Sequence, residues 1–202
     1  NIQILLKNIN IYIIKKYFII AAILSMGIAQ DFSTTVTFTG EGQSRGLTVG
    51  FSPNATDGYD AGYCSDSGIS DYDGCLNSGA EWVLDAYAPP APPPPAFDAA
   101  LTWEGDRYFN QILLGDGAIS EHEYGISISY GSDNLIEVTW DNTGWGNLMS
   151  SCVLQGAFGG MFINIDIITG EGTTNSMAAS WDGSVLSIFN PAVSSLKLFI
   201  TP

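Results

Sequence analysis

The sequence predicts an all-β fold, an antiparallel β-sandwich of the jelly-roll or immunoglobulin-like type, formed by a single domain after an N-terminal leader. Three observations predict it. Short segments alternate polar and apolar residues, they are rich in β-branched and aromatic side chains, and Gly, Asp, Asn or Ser separates them about every ten residues. Beyond the leader, no segment has a convincing helical period. Many short strands with regular turn signals are typical of a sandwich.

The first 29 residues are interpreted as an upstream extension followed by a secretory signal peptide. Lys15 and Lys16 precede an apolar run from Tyr17 to Leu24, and Gly27-Ile28-Ala29 forms a small-x-small cleavage site. The apolar run is shorter than the roughly 20 residues that a membrane-spanning helix needs. We therefore expect a secreted or cell-surface protein with no membrane span after cleavage. The extension before the signal lacks a Met, so we expect either a start assigned too far upstream or a fragment. The C-terminus stops just as a strand ends, so a truncated end is also expected.

Eleven strands are predicted. The first is typical, with Thr35, Thr37 and Thr39 on one face and Val36 and Phe38 on the other. The later segments likewise place aliphatic or aromatic residues at every second position, as in YGISISYG and SLKLFIT. The predicted strands are 32–40, 46–51, 96–104, 107–114, 124–131, 135–141, 152–158, 162–168, 176–181, 185–189 and 195–201.

A proline-rich run divides the chain. Six of the nine prolines lie within residues 89–95, where a polyproline II rod would span about 22 Å. If the run were a linker between two domains, the first domain would be residues 30–87, and its segment 53–79 has almost no aliphatic side chains. Such a piece could hardly bury a core. We therefore expect one domain over residues 30–202, with the proline-rich crossing 88–96 on its outside.

The charge distribution limits the partners. The net charge is −15, and from residue 30 onward three basic residues face all 21 acidic ones. Such a surface repels nucleic acid and anionic lipid and attracts cations. Nucleic-acid binding is therefore excluded. The expected partners are other domains or surface components of a secreted protein, and polysaccharide.

Four segments together resemble a known family. They are Ala55-Thr56-Asp57-Gly58-Tyr59-Asp60, Pro89 to Pro95, Phe97-Asp98-Ala99 and Glu137-Val138-Thr139-Trp140-Asp141. In this order they resemble the secreted β-sandwich module of Bacteroidetes-type surface and exported proteins, which often precedes a type IX secretion sorting domain. The resemblance covers about residues 31–202 and implies an exported accessory module without a defined chemistry. This chain departs from the pattern by an insertion before the prolines. It ends at Pro202 without a sorting domain, and the expectation is either that truncation removed this domain or that the chain is exported by another route.

Two of the three cysteines bracket a loop in that insertion. Cys64 and Cys75 enclose ten residues, and in an exported protein this spacing predicts a disulfide. The alternative is a pair of free thiols. Cys152 lies in an apolar strand and is expected to be a buried free thiol.

Acidic residues cluster around the same loop. Asp57, Asp60, Asp71 and Asp73 are candidate calcium ligands, since calcium takes carboxylate and carbonyl oxygens from Asp- and Gly-rich loops. The DYDG stretch at 71–74 begins like such a loop, but the rest of the twelve-residue pattern is absent. The alternative is a solvated acidic loop, so calcium is the one cofactor to test.

Aromatic residues suggest a second kind of site. Trp145 lies in a Gly/Asn turn and is expected to be exposed, and Tyr72 lies in the acidic loop, so both are candidates for stacking on a ligand. The alternative is that they pack on loop backbone. Trp103 and Trp140 alternate with apolar neighbours and are assigned to the core.

No catalytic motif is present, and His122 between two glutamates is expected to be solvated. The sequence therefore predicts a non-catalytic secreted or cell-surface accessory module. A carbohydrate-binding module is the alternative, and a small secreted glycoside hydrolase is a third hypothesis that needs two carboxylates in a cleft.

Overall fold

The computed structural model describes residues 32–53, 55–64, 66, 68–83, 85–115, 120–156 and 158–202. The predicted leader, residues 1–29, lies outside this part of the chain. Fifteen strands and one short α-helix are found within it. The strands are β1 Phe32–Gly40, β2 Gln43–Ser52, β3 Tyr63–Cys64, β4 Trp82–Val83, β5 Ala86–Tyr87, β6 Asp98–Trp103, β7 Asp106–Leu114, β8 His122–Ser129, β9 Ile136–Trp140, β10 Ser151–Gly156, β11 Ile163–Asp166, β12 Gly172–Thr174, β13 Ala179–Trp181, β14 Leu186–Ile188 and β15 Ser195–Thr201.

The all-β fold class is confirmed. Each of the eleven predicted segments contains a strand, and in several of them, such as β1 and β15, alternate side chains enter the core. The short strands β3, β4, β5 and β12 were not predicted, because they have two or three residues and, unlike β13 and β14, do not belong to a longer alternating segment. The helix α1, Tyr72–Ser78, is a correction to the expectation that no helix follows the leader.

Thirteen strands form one continuous sheet that is rolled nearly shut. The strand order is β12-β11-β10-β15-β8-β6-β7-β2-β1-β9-β14-β13, with β5 on β7, while β3 and β4 form a separate pair. The two ends of this order meet where the chain turns from β12 into β13, and the Trp181 indole Nε1 donates to the Gly170 carbonyl there at 2.9 Å.

One pairing in this sheet differs from the antiparallel expectation. Strands β2 and β7 are parallel, with Thr48 opposite Asn110 and Ser52 opposite Leu114, whereas the other pairings among the described strands are antiparallel. Parallel neighbours need a long connection. Here that connection contains the acidic loop, α1, the proline run and β6.

A single core lies between the two halves of the rolled sheet. Contacts cross it directly: the Tyr124 hydroxyl of β8 donates to the Gly50 carbonyl of β2, and the Phe51 ring of β2 stacks on His122 of β8 at 5.9 Å between ring centres. Both halves contribute fully buried side chains, among them Phe38, Leu47, Leu101, Ile136, Leu154, Ile163, Ile165 and Leu198.

The proline run lies on the outside. Residues 88–96 connect β5 to β6 without joining the sheet, and most of them are exposed. Arg107 of β7 fixes the start of the run, since its Nη1 donates to the Pro89 carbonyl at 2.6 Å and its carbonyl accepts from the Ala88 N–H at 2.8 Å. Strands β1 and β2, which precede the run, pair with β9 and β7, which follow it.

The insertion before the prolines is held by a disulfide and a helix. The predicted Cys64–Cys75 disulfide is confirmed and joins β3 to α1. Closing a loop of this length contributes about 2–3 kcal/mol to stability. Cys152 is confirmed as a buried free thiol, and its burial raises the pKa of the thiol to about 12, so it stays protonated and unreactive at neutral pH.

Candidate ligand-binding groove

Two neighbouring cavities meet at Trp103. The first has a volume of about 520 Å³ and the second about 380 Å³, and both are lined by Trp103 and Glu123. These volumes fall within the range of about 300–1,000 Å³ that is common for small-molecule sites. We call the two cavities together the Trp103 groove.

The hairpin between β6 and β7 positions Trp103. Trp103 is the last residue of β6 and pairs with Asp106 across a two-residue turn formed by Glu104 and Gly105. Both turn residues have positive φ, 51° for Glu104 and 95° for Gly105, which matches the right-handed twist of the flanking strands. The tight turn therefore holds the indole at the rim of the sheet and places the Glu104 carboxylate in the lining of the first cavity.

Small residues on three adjacent strands open the first cavity. Gly125 of β8 lies opposite both Thr102 of β6 and Lys197 of β15. A Cβ at residue 125 would come within 2.5 Å of the Thr102 hydroxyl oxygen, so a larger side chain would displace the lining. Ser127 and Ser195 continue the same surface and supply hydroxyl groups.

The second cavity is acidic. Its lining includes Asp57, Glu121, His122 and Glu123, with Leu113 and Leu114 of β7 as apolar neighbours. Asp57 is held in place because its Oδ1 accepts from the Leu114 N–H at 3.3 Å. The carboxylate that both cavities share, Glu123, is 2.6 Å from the Lys197 ammonium group. That pair is half-exposed, so it stabilises the fold by at most about 1 kcal/mol.

The Trp103 indole N–H is buried and has no hydrogen-bond acceptor among the described residues. Burying such a donor without a partner costs about 1–3 kcal/mol. Trp103 was assigned to the core from the sequence, and the structure shows it partly buried against the core and also lining the groove. The signal that could have located it is its place at a strand end, directly before a Glu-Gly turn.

The four predicted calcium ligands are not gathered into one site. Asp60 accepts from the Thr56 N–H at 2.7 Å and from its hydroxyl at 3.0 Å, and Asp57 lines the groove. Asp71 caps the N-terminus of α1 by accepting from Gly74 N–H at 2.8 Å, with Asp73 in the first turn. Within the described part of the chain no three His, Cys, Asp or Glu side chains are placed to hold a metal ion. The DYDG stretch is thus the start of a capped helix.

The expectation that Trp145 is exposed is wrong. Gly144, with φ of 83°, turns the chain so that the Trp145 ring packs on the end of the core, where the residue is 4% exposed. The ring is nearly perpendicular to that of Phe32, with 5.9 Å between the ring centres. It cannot stack on a ligand in this position. Tyr72 is 53% exposed, and its ring is nearly perpendicular to that of Trp82, with 5.6 Å between the ring centres. Its role in ligand stacking stays a prediction.

A tyrosine cluster, missed from the sequence, attaches the segment before Cys64 to the sheet. Tyr59 stacks on Tyr87 with 4.4 Å between ring centres, and Tyr87 stacks on Tyr108 of β7 with 4.8 Å between ring centres. Because the stacked faces cover one another, the cluster packs the segments that precede and follow the insertion against β7.

Asp85 lies beside that cluster. Its carboxylate accepts a hydrogen bond from a backbone N–H of β7, as the carbonyl of a neighbouring strand would. Asp85 is 3% exposed, and its Oδ1 accepts from the Ile112 N–H of β7 while its Oδ2 accepts from the Asp60 N–H, both at 2.9 Å. Burial raises the pKa of Asp85 above its usual value, the two N–H groups oppose this, and the nearby Asp60 charge adds to it.

A pH dependence follows for Asp85→Asn. Since the folded-state pKa is raised, the contribution of Asp85 to the free energy of unfolding is fully present below its unfolded pKa of about 3.8 and declines as the pH rises through the folded value. We expect the free energy of unfolding of wild type minus that of Asp85→Asn to become smaller from acid to neutral pH. Urea unfolding of both proteins at several pH values measures this difference. A difference that grows with pH would show that the N–H groups dominate instead.

The comparisons with known proteins give no relative. Against family models, curated proteins and solved structures the chain shows no match. No helix in the described residues has both the length and the apolar composition needed to cross a lipid bilayer.

Proposed function

We propose that this protein is a secreted, non-catalytic accessory module that binds polysaccharide in the Trp103 groove. The observation that carries the proposal is the position of Trp103 at the junction of two open cavities that have polar side chains on both sides of it. Export is supported by the predicted leader and by the Cys64–Cys75 disulfide, because disulfides persist in oxidising compartments.

The lining suits a sugar ring. A pyranose has an apolar face that stacks on an aromatic side chain and hydroxyl groups that exchange hydrogen bonds with carboxylates and hydroxyls. Trp103 offers the aromatic surface, while Glu104 and Ser127 in the first cavity and Glu121 in the second offer the polar partners. Because the cavities are adjacent and share Trp103, the groove fits a chain of sugars better than a single one.

A small glycoside hydrolase is the rival function, and the carboxylates on both sides of Trp103 favour it. Hydrolysis requires two carboxylates about 5–10 Å apart across the scissile bond. Release of new reducing ends from a bound polysaccharide would establish the rival. Binding without release supports the accessory module.

Replacing Trp103 by Ala tests the binding site. We expect affinity for the best polysaccharide of a neutral and amino-sugar panel to fall at least about tenfold, since an aromatic anchor contributes about 1–2 kcal/mol or more to binding. Isothermal titration of wild type and variant measures this, and circular dichroism checks that both are folded. Trp181→Ala, which removes a partly buried tryptophan outside the groove, is the matched control, and Tyr72→Ala tests the predicted stacking residue.

Two results would contradict the proposal. In one, wild type binds no polysaccharide of the panel. In the other, Trp103→Ala binds as tightly as wild type or loses no more affinity than Trp181→Ala.

A further inference from the structure

We infer that the Trp103 groove selects its polysaccharide by charge: it prefers a polymer of amino sugars with protonated amines over the neutral equivalent and rejects polyuronates. This inference rests on the proposed function, since it names the class of polymer that the same groove takes.

The charge of the lining is one-sided. Four carboxylates, those of Asp57, Glu104, Glu121 and Glu123, stand against one ammonium group, that of Lys197, and one imidazole, that of His122, among the described residues of the lining. Lys197 is already engaged with Glu123 at 2.6 Å. It therefore has little capacity to attract the carboxylates or sulfates of an anionic polymer, which the other three acids repel.

The carboxylates are also spread along the groove. Glu104 lines the first cavity, Asp57 and Glu121 line the second, and Glu123 lines both. All three of the acids that do not pair with Lys197 belong to exposed residues, so a ligand can reach them from solvent. A polymer with one amine on each sugar meets a carboxylate on both sides of Trp103, whereas an isolated cation gains only one such contact.

The expected size of the preference is moderate. An exposed ion pair of ordinary strength changes affinity by about threefold, so two such contacts give a preference of roughly tenfold at low salt. Because exposed charges are screened within about 10 Å at 0.1 M ionic strength and within about 3 Å at 1 M, the preference should largely disappear in concentrated salt.

Oligosaccharides of chitosan and chitin provide the matched ligands, because they share one backbone and differ in whether the amine is free or acetylated. The titration is done at about pH 5.5, where most of the chitosan amines are protonated. Isothermal titration at low salt should give wild type a roughly tenfold preference for the chitosan oligomer and no binding of an oligomannuronate. The double variant Glu104→Gln with Glu121→Gln should reduce the preference to about twofold or less.

The whole protein is acidic, so attraction to any polycation must be separated from recognition in the groove. The double variant Glu137→Gln with Glu171→Gln makes the same change in net charge at exposed positions outside the groove lining, and it should keep the tenfold preference. If this control loses as much preference as the groove variant, the inference is overturned.

Two further outcomes distinguish a failure of the charge preference from a failure of the proposed polysaccharide site. If wild type binds chitin and chitosan oligomers equally and Trp103→Ala abolishes both, the polysaccharide site stands and the charge preference is refuted. If wild type binds neither these nor any other polysaccharide, both the site and the preference are refuted.

Discussion

Replacing Phe38 by Ala should lower the free energy of unfolding by about 3–5 kcal/mol. Phe38 lies in the middle of the sheet on β1, where Val138 of β9 is its neighbour, and its side chain is 0% exposed. Truncation removes apolar surface from the core and leaves a cavity that rigid neighbouring strands cannot close. Since domains of this kind are stable by only about 5–15 kcal/mol, urea unfolding should show a large shift of the midpoint.

Phe189 provides the matched control. It is also a phenylalanine, but it is 40% exposed beyond the end of β14, so Phe189→Ala should change stability by less than about 1 kcal/mol. If Phe38→Ala does not fold, Phe38→Leu provides a milder test and should cost about 1–2 kcal/mol. Equal effects of the two alanine substitutions would contradict the position of the core.

Replacing Arg107 by Ala should cost about 3–5 kcal/mol, far more than an ordinary surface ion pair. Arg107 pairs with Asp98, whose side chain is 9% exposed, and it also donates to the Pro89 carbonyl at the start of the proline run. The substitution leaves the Asp98 carboxylate buried without its partner and removes one of the two hydrogen bonds that hold the start of the run on β7, the other being the backbone bond from Ala88. Urea unfolding measures the loss, and limited proteolysis within residues 88–96 should become faster.

Lys197 is the matched control for Arg107. Its pair with Glu123 is 43% and 48% exposed, and Lys197→Ala should change stability by no more than about 1 kcal/mol. Adding Asp98→Asn to Arg107→Ala should restore part of the stability, because no buried charge then remains. A loss for Arg107→Ala as small as that for Lys197→Ala would show that Asp98 is hydrated in solution.

Most of the main sheet could be predicted because period-2 burial leaves a direct trace in the sequence. Segments 32–40 and 195–201 alternate as their buried side chains require. The parallel pairing of β2 with β7 could not be predicted, since it depends on how the long insertion folds back and leaves no local pattern. Helix α1 escaped because its seven residues are too few to show a helical period, although Asp71 and Gly79 occupy its cap positions.

The candidate site was less predictable than the fold. Trp145 was misjudged because the positive φ of Gly144, which turns the ring inward, is a property of the folded chain. Trp103 was assigned to the core because it alternates with apolar neighbours. This alternation does not reveal that the strand ends beside a cavity. Glu123 and Lys197 are 74 residues apart in sequence, and only the pairing of β8 with β15 brings them together.

The most direct test of the groove is a titration of ¹⁵N-labelled protein with the best-binding oligosaccharide, followed through the tryptophan indole N–H signals. Trp103→Phe identifies the Trp103 signal, and Trp145 and Trp181 serve as internal references away from the groove lining. We expect the Trp103 signal to shift in proportion to saturation while those of Trp145 and Trp181 stay in place. A ligand that binds and shifts either reference signal but not that of Trp103 would contradict the assignment of the groove.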